Sequence, residues 1–404
     1  MQKPSDALRR ILDAVVPTQA LENVPLEHAV GRVLARELAS DIDLPPFEKS
    51  AMDGFAVHSA DFEGVGERTL RVVGEARAGA PFGGPIPRGA CVAIYTGAEV
   101  PSACDAVVIV EHSRPAAEPH AVVLVDRPRV LQNICSRGMD LAVGARVMAP
   151  GRRLRSVDLA VLAAVGCEPV PVFRRPRVAV LTSGDELVPP SAKPGVGQIR
   201  EGNTLHLAAM ARAAGAEIVR RGVVRDDERE LEAAFAEALE VCDALITTGG
   251  VSMGKYDLVG AALERCGVLG VFHKVAIKPG KPLWFGARGA VPVFGLPGNP
   301  VSCLVNHEVF VAPTLRLLGG ELREHVLAPR ARGRWCGNAR AANEREQYLP
   351  VVVQVGDDGV PRLEPVKWNG SADVVGISHS EALAVVPIDH ALAPGDLLEW
   401  RSIG

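Results

Sequence analysis

Aromatic residues are scarce in this chain, and neither sign of charge dominates. Phe, Trp and Tyr make up 4% of the 404 residues, which argues against the aromatic platforms on which proteins stack single-stranded nucleic acid. The 44 Lys and Arg residues are nearly balanced by 48 Asp and Glu, for a net charge of -4. No global field would draw the protein to nucleic acid or to an anionic membrane, so any anion site must be local.

The chain also lacks a long apolar run and paired cysteines. No uncharged stretch approaches the roughly 20 apolar residues that a membrane span needs. Asp6 and Asp13 interrupt the apolar pattern of the first residues, which is not typical of a signal peptide. The eight cysteines are scattered without a CxxC pair. We therefore expect reduced, mostly buried thiols in a cytoplasmic protein, with neither nucleic acid nor membrane as a partner.

Glycine and proline, in contrast, are abundant, with 41 and 31 residues, and they divide the chain into short segments. A length of 404 residues allows two to four domains with separate cores. The density of turns and the length of apolar runs predict a β-rich domain at 44–144, an α/β domain at 177–328, and a small C-terminal β-barrel or sandwich at 329–404. The remaining residues, 1–43 and 145–176, are assigned to a connecting N-terminal domain.

Local patterns predict helices near the N-terminus and alternating strands and helices further along. Ser5 to Val15 has the pattern of a capped amphipathic helix, and further helical patterns cover Leu26 to Leu38 and Ser156 to Val165. In the α/β part, the predicted elements are a buried strand from Arg177, a helix from a cap at Asn203 to about Ala214, a strand at Glu217 to Val224, a helix at Glu228 to Val241, and strands at Val271 to Ile277 and Val291 to Phe294. This alternation predicts a right-handed, mostly parallel sheet.

Polar loops follow four strands of the predicted sheet, and the carboxyl ends of such strands form the usual ligand crevice. The loops are Thr182 to Glu186, Asp226 with Asp227, Gly249 to Asp257, and Lys278 to Pro282, and their carboxylates include Asp185, Glu186, Asp226 and Asp257. Carboxylates beside a phosphate are the usual way to hold Mg²⁺, whereas lysines and backbone amides neutralise a phosphate or another oxyanion. A purely structural role, capping of the following helix, is an equal alternative for Asp226 and Asp227.

Two turns that contain proline and glycine carry the strongest single signals. In KPGKP, the ammonium groups of Lys278 and Lys281 are three residues apart on a stiff backbone, which concentrates positive charge as oxyanion binding requires. In GLPGNPVS, Pro300 occupies a position where a helix can begin, so free N–H groups there could meet a negative ligand. Each run taken alone could equally be a turn selected for chain reversal.

One loop comes close to a phosphate-binding motif of another class. Gly249 to Lys255 nearly spells GxxxxGK[ST], but Tyr256 occupies the position where that motif needs a small hydroxyl to hold Mg²⁺. A P-loop NTPase is therefore excluded, although the amides of this loop can still meet a phosphate.

The motifs, in this order, resemble those of the molybdopterin molybdenumtransferase family, which also includes the E-domain of gephyrin. The resemblance spans nearly the whole chain, and the motifs together are highly specific although each alone is weak. They are PPFEKSAMDGFAV (Pro45 to Val57), YTGAEVPSACDAVV (Tyr95 to Val108), TSGDEL, TTGGVSMGKYD, KPGKP and LPGNPVS.

The resemblance implies a homodimer of four-domain, L-shaped subunits, with an active site between the α/β domain of one subunit and the β-rich domain of the other. The implied fold class is multidomain α/β plus β, with a central parallel-sheet domain of the molybdopterin-binding type, a β-rich domain, a connecting domain and a C-terminal β-barrel. The implied enzyme is a cytoplasmic, Mg²⁺-dependent transferase that inserts molybdate into adenylylated molybdopterin and releases AMP. This is the last step of molybdenum cofactor biosynthesis, and handover of substrate from a molybdopterin adenylyltransferase is implied as well.

The resemblance also assigns roles to individual residues. The implied catalytic residues are Asp53, Thr96, Asp140, Glu186, Asp226 and Asp257, of which Glu186, Asp226 and Asp257 are also the implied metal ligands. Asp53 and Thr96 would come from the partner subunit. The implied substrate-binding residues are Ser183, Gly184, Asp185, Gly249, Gly250, Ser252, Lys278, Lys281, Pro297, Gly298, Asn299, Ser302, Arg345 and Ser371. Of these, Lys281, Ser302, Arg345 and Ser371 look like the family's molybdate pocket.

The loop from Asn133 to Asp140 departs from the family pattern Asn-Ile/Val-Arg-x-x-Gly-Glu-Asp. Cys135 replaces a cation and Met139 replaces an acid, and Arg137 is the candidate to reach the same anion. The alternative from another class is therefore a binding or scaffold protein on the same fold, with an idle crevice. A nucleotide enzyme built on the α/β module alone leaves the β-rich module that contains SAMDG and the C-terminal module unexplained.

Overall fold

The computed structural model describes residues 1–64, 66–250, 258–327 and 330–403. The helices of these residues are, in chain order, α1 (Pro4–Ala14), α2 (Ser156–Ala164), α3 (Asn203–Ala213), α4 (Glu228–Val241), α5 (Leu258–Arg265), α6 (Pro300–Asn306), α7 (Ala312–Leu318), α8 (Arg323–Val326) and α9 (Val374–Ser378). A π-helical turn at His307–Val311 makes α6 and α7 continuous. None of the helices in these ranges is both long and apolar enough to cross a bilayer.

The strands are short and numerous. In chain order they are β1 (Leu21–Val24), β2 (Leu38–Ala39), β3 (Lys49–Ser50), β4 (Gly54–Val57), β5 (Arg68–Ala76), β6 (Ala90–Ile94), β7 (Ala106–Ile109), β8 (Ser113–Pro115), β9 (Ala121–Leu124), β10 (Ile134–Cys135), β11 (Arg146–Met148), β12 (Val170–Phe173), β13 (Arg177–Ser183), β14 (Leu187–Val188), β15 (Ile199–Arg200), β16 (Glu217–Val224), β17 (Ala244–Thr248), β18 (Leu269–His273), β19 (Ile277–Lys278), β20 (Trp284–Arg288), β21 (Val291–Leu296), β22 (Arg332–Trp335), β23 (Glu346–Val355), β24 (Pro361–Pro365), β25 (Ala382–Val386) and β26 (Leu397–Ser402).

A six-stranded sheet in the order β16-β13-β17-β21-β20-β18 forms the centre of the α/β unit. Its first three pairings are parallel and its last two are antiparallel. Val178 to Leu181 are all buried because helices cover both faces of the sheet. One face packs against α1, α3, α6 and α7, and the other packs against α4 and α5. This arrangement agrees with the predicted alternation of strands and helices.

A second six-stranded sheet, in the order β7-β4-β6-β5-β9-β8, forms the β-rich unit. Separate apolar clusters cover its two sides. The segments before and after this unit pair with each other, β1 with β12 and β2 with β11, both antiparallel. The N-terminal segment α1 does not join them, because Ile11 and Leu12 are buried in the core of the α/β unit. The domain boundaries given above stay a prediction.

The C-terminal unit is a closed barrel in the order β23-β24-β22-β26-β25, which closes by pairing β25 with β23. Trp335, Val351 and Leu363 fill its interior. The short strand β19 of the KPGKP segment adds to this barrel in parallel with β23. The barrel is therefore hydrogen-bonded to a loop of the α/β unit.

The predicted helix at Leu26 to Leu38 is wrong. Only a 3₁₀ turn forms at Leu26–His28, and Gly31 then adopts a left-handed conformation with φ of 76°. Val33 and Leu34 form bridges to Arg153 and Val172. The apolar spacing had the helical period, but these pairings with distant residues determine the structure instead.

Two predicted helix caps and one strand boundary also differ from the structure. Helix α1 begins at Pro4 after Lys3 and has no side-chain cap. Asn203 does not cap α3, because Gly202 occupies the cap position and the Asn203 amide donates to the carbonyl of Gly298. The strand predicted at Val271 to Ile277 is interrupted after His273, where Lys274 has a φ of 72°.

All eight cysteines are free thiols, and only half of them are fully buried.

Asp158 holds the first turn of α2 in the connecting segment. Its side chain is 3% exposed, and it accepts hydrogen bonds from the Arg152 guanidinium at 2.6 Å and from the Arg155 backbone N–H at 2.8 Å. Burial alone would raise the pKa of this carboxyl, but the hydrogen bonds from Arg152 and Arg155 outweigh it and lower the pKa to about 2.

This pairing predicts acid-dependent stability. The folded-state pKa lies below the unfolded value of about 3.9, so the stabilisation is present above pH 4 and is lost as the pH falls toward 2. At pH 7, Asp158→Asn should lower the free energy of unfolding by roughly 2 kcal/mol, measured by urea denaturation. Asp357→Asn, at an exposed position in the turn between β23 and β24, is the control and should change little. An equal loss for Asp158→Asn at pH 7 and at pH 2.5 would contradict the prediction.

Candidate functional site

Three parallel strands of the α/β unit end side by side. In the register of the sheet, Thr182 of β13 pairs with Thr248 of β17, and Thr248 pairs with Leu296 of β21. The loops that follow these strands therefore meet at the carboxyl edge of the sheet, where ligands bind in open α/β sheets.

The loop after β13 folds tightly over its own glycine. Gly184 has a φ of 155°, and a Cβ at this position would lie 2.5 Å from a carboxylate oxygen of Glu186. The backbone N–H of Asp226, which follows the neighbouring strand β16, donates to the Asp185 carboxylate at 3.4 Å. Asp185, Glu186 and Asp226 are thus exposed on adjacent loops at this edge.

The capping interpretation applies to Asp227. Its carboxylate accepts hydrogen bonds from the N–H groups of Arg229 and Glu230, so Asp227 is the N-cap of α4. Asp257 and Ser252, both named from the sequence, lie outside the described residues. Within the part of the chain that is described, no three His, Cys, Asp or Glu side chains form a cluster that could hold a metal.

A large cavity of about 960 Å³ lies beside the strand ends, between α3 and α9. Five residues named from the sequence line it: Ser183, Glu186, Gly249, Gly298 and Asn299. Gly249 has a φ of 94°, and a Cβ there would lie 2.3 Å from the carbonyl oxygen of Ser183. Only glycine allows the two loops to approach this closely.

A smaller cavity of about 400 Å³ lies between the α/β unit and the barrel. The residues named from the sequence that line it are Lys278, Lys281, Pro297, Asn299, Ser302, Arg345 and Ser371. The pairing of β19 with β23, in which Lys278 is opposite Gln347, brings the two sides of the cavity together. Both lysines are exposed, whereas Ser302 is buried at the start of α6.

Asn299 lines both cavities and also links the two units. Its side-chain amide donates to the Ser371 hydroxyl at 2.8 Å, and the N–H of Val301 donates to the Ser371 carbonyl at 3.0 Å. Pro300 is the first residue of α6, as predicted. The barrel loop that carries Ser371 is thereby fixed to the start of this helix.

Sequence reasoning missed several lining residues. Arg340 and Trp368 line the smaller cavity, and Asn203 and His206 line the larger one. The last two are three residues apart on α3, so their shared helix face could have been recognised. Burial, followed by the nearby charge of His307, lowers the pKa of His206, which is therefore neutral at pH 7. Arg340 belongs to none of the sequence motifs, so its place in the smaller cavity could not be recognised from the sequence.

Two residues named on the β-rich unit bind each other. The Asp53 carboxylate accepts hydrogen bonds from the backbone N–H and from the hydroxyl of Thr96, both at 2.7 Å. The hydrogen bond from the backbone N–H has the larger effect on Asp53, and both bonds lower the pKa of its carboxyl group. Asp140 is exposed, and its backbone N–H donates to Leu44. Within the described residues of one chain, neither this pair nor Asp140 lines the two cavities.

The loop from Asn133 to Asp140, which departs from the family pattern, is held by an ion pair between Arg137 and Asp43. The Arg137 guanidinium donates to the Asp43 carboxylate at 2.6 Å, so the candidate replacement for the missing cation is already paired within the chain. Cys135 is half-buried in β10, opposite Lys49 of β3. Met139 is exposed.

Family models match three successive parts of the chain. The MoeA N-terminal region (domain I and II) matches residues 3–166, a probable molybdopterin binding domain matches 179–317, and the MoeA C-terminal region (domain IV) matches 337–402. The chain belongs to the MoeA family. The resemblance inferred from the motifs and the predicted fold class are both confirmed.

Individual relatives support the same assignment. The chain is 38% identical to a molybdopterin molybdenumtransferase of Haemophilus influenzae over 88% of this chain and 86% of that protein. It is 36% identical to the Bacillus subtilis molybdopterin molybdenumtransferase over 91% and 86% of the two chains. A crystal structure of the molybdopterin biosynthesis MoeA protein from Pyrococcus horikoshii OT3 superposes with a TM-score of 0.85 at 26% identity, covering 100% of both chains.

The Asp53–Thr96 pair gives a prediction that can be measured in solution. Thr96→Val removes the hydroxyl donor but keeps the backbone donor, so the pKa of Asp53 should rise part of the way toward its ordinary value. The measurement is an NMR titration of aspartate carboxyl carbons, with the Asp53 signal assigned from Asp53→Asn. Thr69→Val, an exposed substitution on β5, is the control and should leave that signal unchanged. An unchanged Asp53 titration in Thr96→Val would show that the hydroxyl does not hold this carboxylate.

Proposed function

We propose that this chain inserts molybdate into adenylylated molybdopterin and releases AMP, the last step of molybdenum cofactor biosynthesis. The observation that carries the proposal is the pair of adjoining cavities that share Asn299. One is small and cationic, and the other is large and largely apolar. Relatives that cover most of the chain are named molybdopterin molybdenumtransferase, which supports the same reaction.

The smaller cavity suits molybdate, a compact tetrahedral dianion. Lys281 and Arg345 supply positive charge from opposite units, and Lys278 lies at the same rim. The hydroxyls of Ser302 and Ser371 can donate to the remaining oxygens of the anion. Charge-assisted hydrogen bonds of this kind are about twice as strong as neutral ones. These residues bind and orient the anion next to the larger cavity.

The larger cavity suits the organic substrate. Gly249 and Gly298 leave the backbone accessible at the strand ends, where amides can receive a phosphate. Leu304, Ile377 and Met210 provide an apolar wall for a ring system. The phosphate end of the substrate would then lie near Glu186, and its body along α3.

We propose Glu186, Asp226 and Asp257 as the residues that hold Mg²⁺. Glu186 and Asp226 offer only oxygen ligands, which Mg²⁺ prefers, and the Glu186 carboxylate lies directly over the bare Cα of Gly184. Bound Mg²⁺ would neutralise phosphate charge that develops during cleavage. The carboxylates position the cation, while the amides and lysines bind the anions.

We further propose that the active form is a cytoplasmic homodimer supplied by an adenylyltransferase. The Asp53–Thr96 pair lies on the β-rich unit, away from both cavities of its own chain. A partner subunit could bring this pair and Asp140 to the carboxyl edge of the sheet. A non-catalytic scaffold is the alternative, because Cys135 and Met139 replace polar family residues and Arg137 is engaged by Asp43.

The main test is AMP release from adenylylated molybdopterin with and without molybdate and Mg²⁺. Lys281→Ala should weaken molybdate use by about ten- to a hundredfold, because a charge-assisted hydrogen bond to the dianion is lost. Lys281→Arg should not restore it, since a planar guanidinium replaces a compact ammonium. Lys193→Ala, at an exposed site outside both cavities, is the matched control. Absence of AMP release by the wild-type protein would favour the scaffold, and unchanged molybdate dependence in Lys281→Ala would place the anion elsewhere.

A shared site predicts complementation between two impaired chains. Mixing Asp53→Ala with Lys281→Ala should restore part of the AMP release, because some mixed dimers retain one intact site. Subunit exchange is checked by mass spectrometry of differently tagged chains. Exchange without any recovery would count against a site formed from two subunits.

A further inference from the structure

A third cavity lies at the far end of α3 from the candidate active site. Its volume is about 730 Å³, within the usual range for sites that hold small organic ligands. Helix α3 begins at the carboxyl edge of the sheet and ends beside this cavity. Its 11 residues span roughly 16 Å from one end of the helix to the other. The polar residues that line it include Arg153, Arg316, Arg330, Arg401, His325 and Trp400.

Each arginine comes from a different segment of the chain. Arg153 lies in the connecting segment between β11 and α2, Arg316 lies on α7, Arg330 precedes the barrel, and Arg401 is on the barrel strand β26. No local sequence pattern unites them. The fold alone places them around one cavity, in a chain whose net charge is -4.

Carboxylates in the described residues compensate this charge only in part. Arg316 is paired with Glu321, but the nearest carboxylate to Arg330 is Glu399, at 3.9 Å, which also faces Arg332 at 3.9 Å. Burial, and then the proximity of Arg401, lowers the pKa of Arg330. One acidic residue, Glu308, also lines the cavity, so its four arginines outnumber the carboxylate in the lining.

The other two arginines have carbonyl partners. The Arg153 guanidinium donates to the carbonyls of Ala213 and Ala214 at the end of α3. Arg401 donates to the carbonyl of Glu308 at 2.7 Å. A carbonyl accepts a hydrogen bond but does not neutralise a full charge. Arg153 also lies near the charge of Glu321, whereas Arg401 forms no ion pair among the described residues and still attracts an anion.

Two donors on the barrel side have no acceptor within the described residues. They are Nε of Arg401 and Nε1 of the adjacent Trp400, both buried. Buried donors without partners are uncommon and call for an explanation. Apolar surface from Met210, Ala312 and Val326 completes the lining, so the cavity has both an anion-binding and an apolar part.

The geometry points to a second ligand site here, one that binds a phosphate ester with an organic body, of the size of a nucleotide. Guanidinium groups match phosphate oxygens in pairs of hydrogen bonds, and the apolar side accommodates the body. Met210 and Ala213 line this cavity and also the larger one. A ligand bound here would therefore contact the far end of the proposed substrate cavity.

Calorimetric titration of ADP into the full chain tests the site. We expect one binding event that Arg330→Gln or Arg401→Gln weakens by about tenfold or more, while Arg401→Lys has an intermediate effect because it keeps the charge. Arg334→Gln, exposed on the same barrel but outside the cavity, is the matched control. Thermal unfolding shows whether each variant is folded.

A Lys281→Ala arm separates this site from the proposed catalytic site. ADP binding that survives Lys281→Ala but fails in Arg330→Gln supports the inference. Binding that is kept in both arginine variants places ADP at another site and overturns it, whether or not Lys281→Ala changes the affinity. No binding of ADP at concentrations up to about 100 μM also overturns it. Binding of an acidic peptide in place of ADP would show that the cavity takes a protein partner.

Discussion

The parallel pairing of β19 with β23 is the contact on which the candidate site depends. Ile277 pairs with Glu346, and Lys278 pairs with Gln347. A loop of the α/β unit thereby becomes an added strand of the barrel. This pairing places the KPGKP lysines opposite Arg345 across the smaller cavity. Without it, each unit would contribute a separate positive patch on its own surface, and neither patch would surround an anion.

Two further contacts fix the barrel along the continuous helix formed by α6, the π-helical turn and α7. At its start, Asn299 and Val301 bind the loop at Ser371. At the turn, Arg401 binds the carbonyl of Glu308. The barrel is therefore held at three places along one face of the α/β unit. The smaller, larger and arginine-lined cavities all lie along this junction.

The sequence predicted the parts of the site that glycine, proline and strand ends determine locally. Gly249 and Pro300 adopt the roles that their conformational preferences require, and the parallel strands bring their loops together. It could not predict structure determined by distant residues. Leu26 to Leu38 has a helical period, yet Val33 and Leu34 pair with Arg153 and Val172. The arginine-lined cavity was equally invisible, because only tertiary packing brings its residues together.

The antiparallel pairs β1–β12 and β2–β11 have a consequence for the order in which the protein forms during synthesis. Both pairs enclose the β-rich unit, whose own sheet uses only strands between β4 and β9. That sheet can form as soon as β9 has left the ribosome, whereas β1 must wait for β12. Helix α1 waits longer still, because its core partners extend to Leu318. The first helix to be made is among the last to be buried.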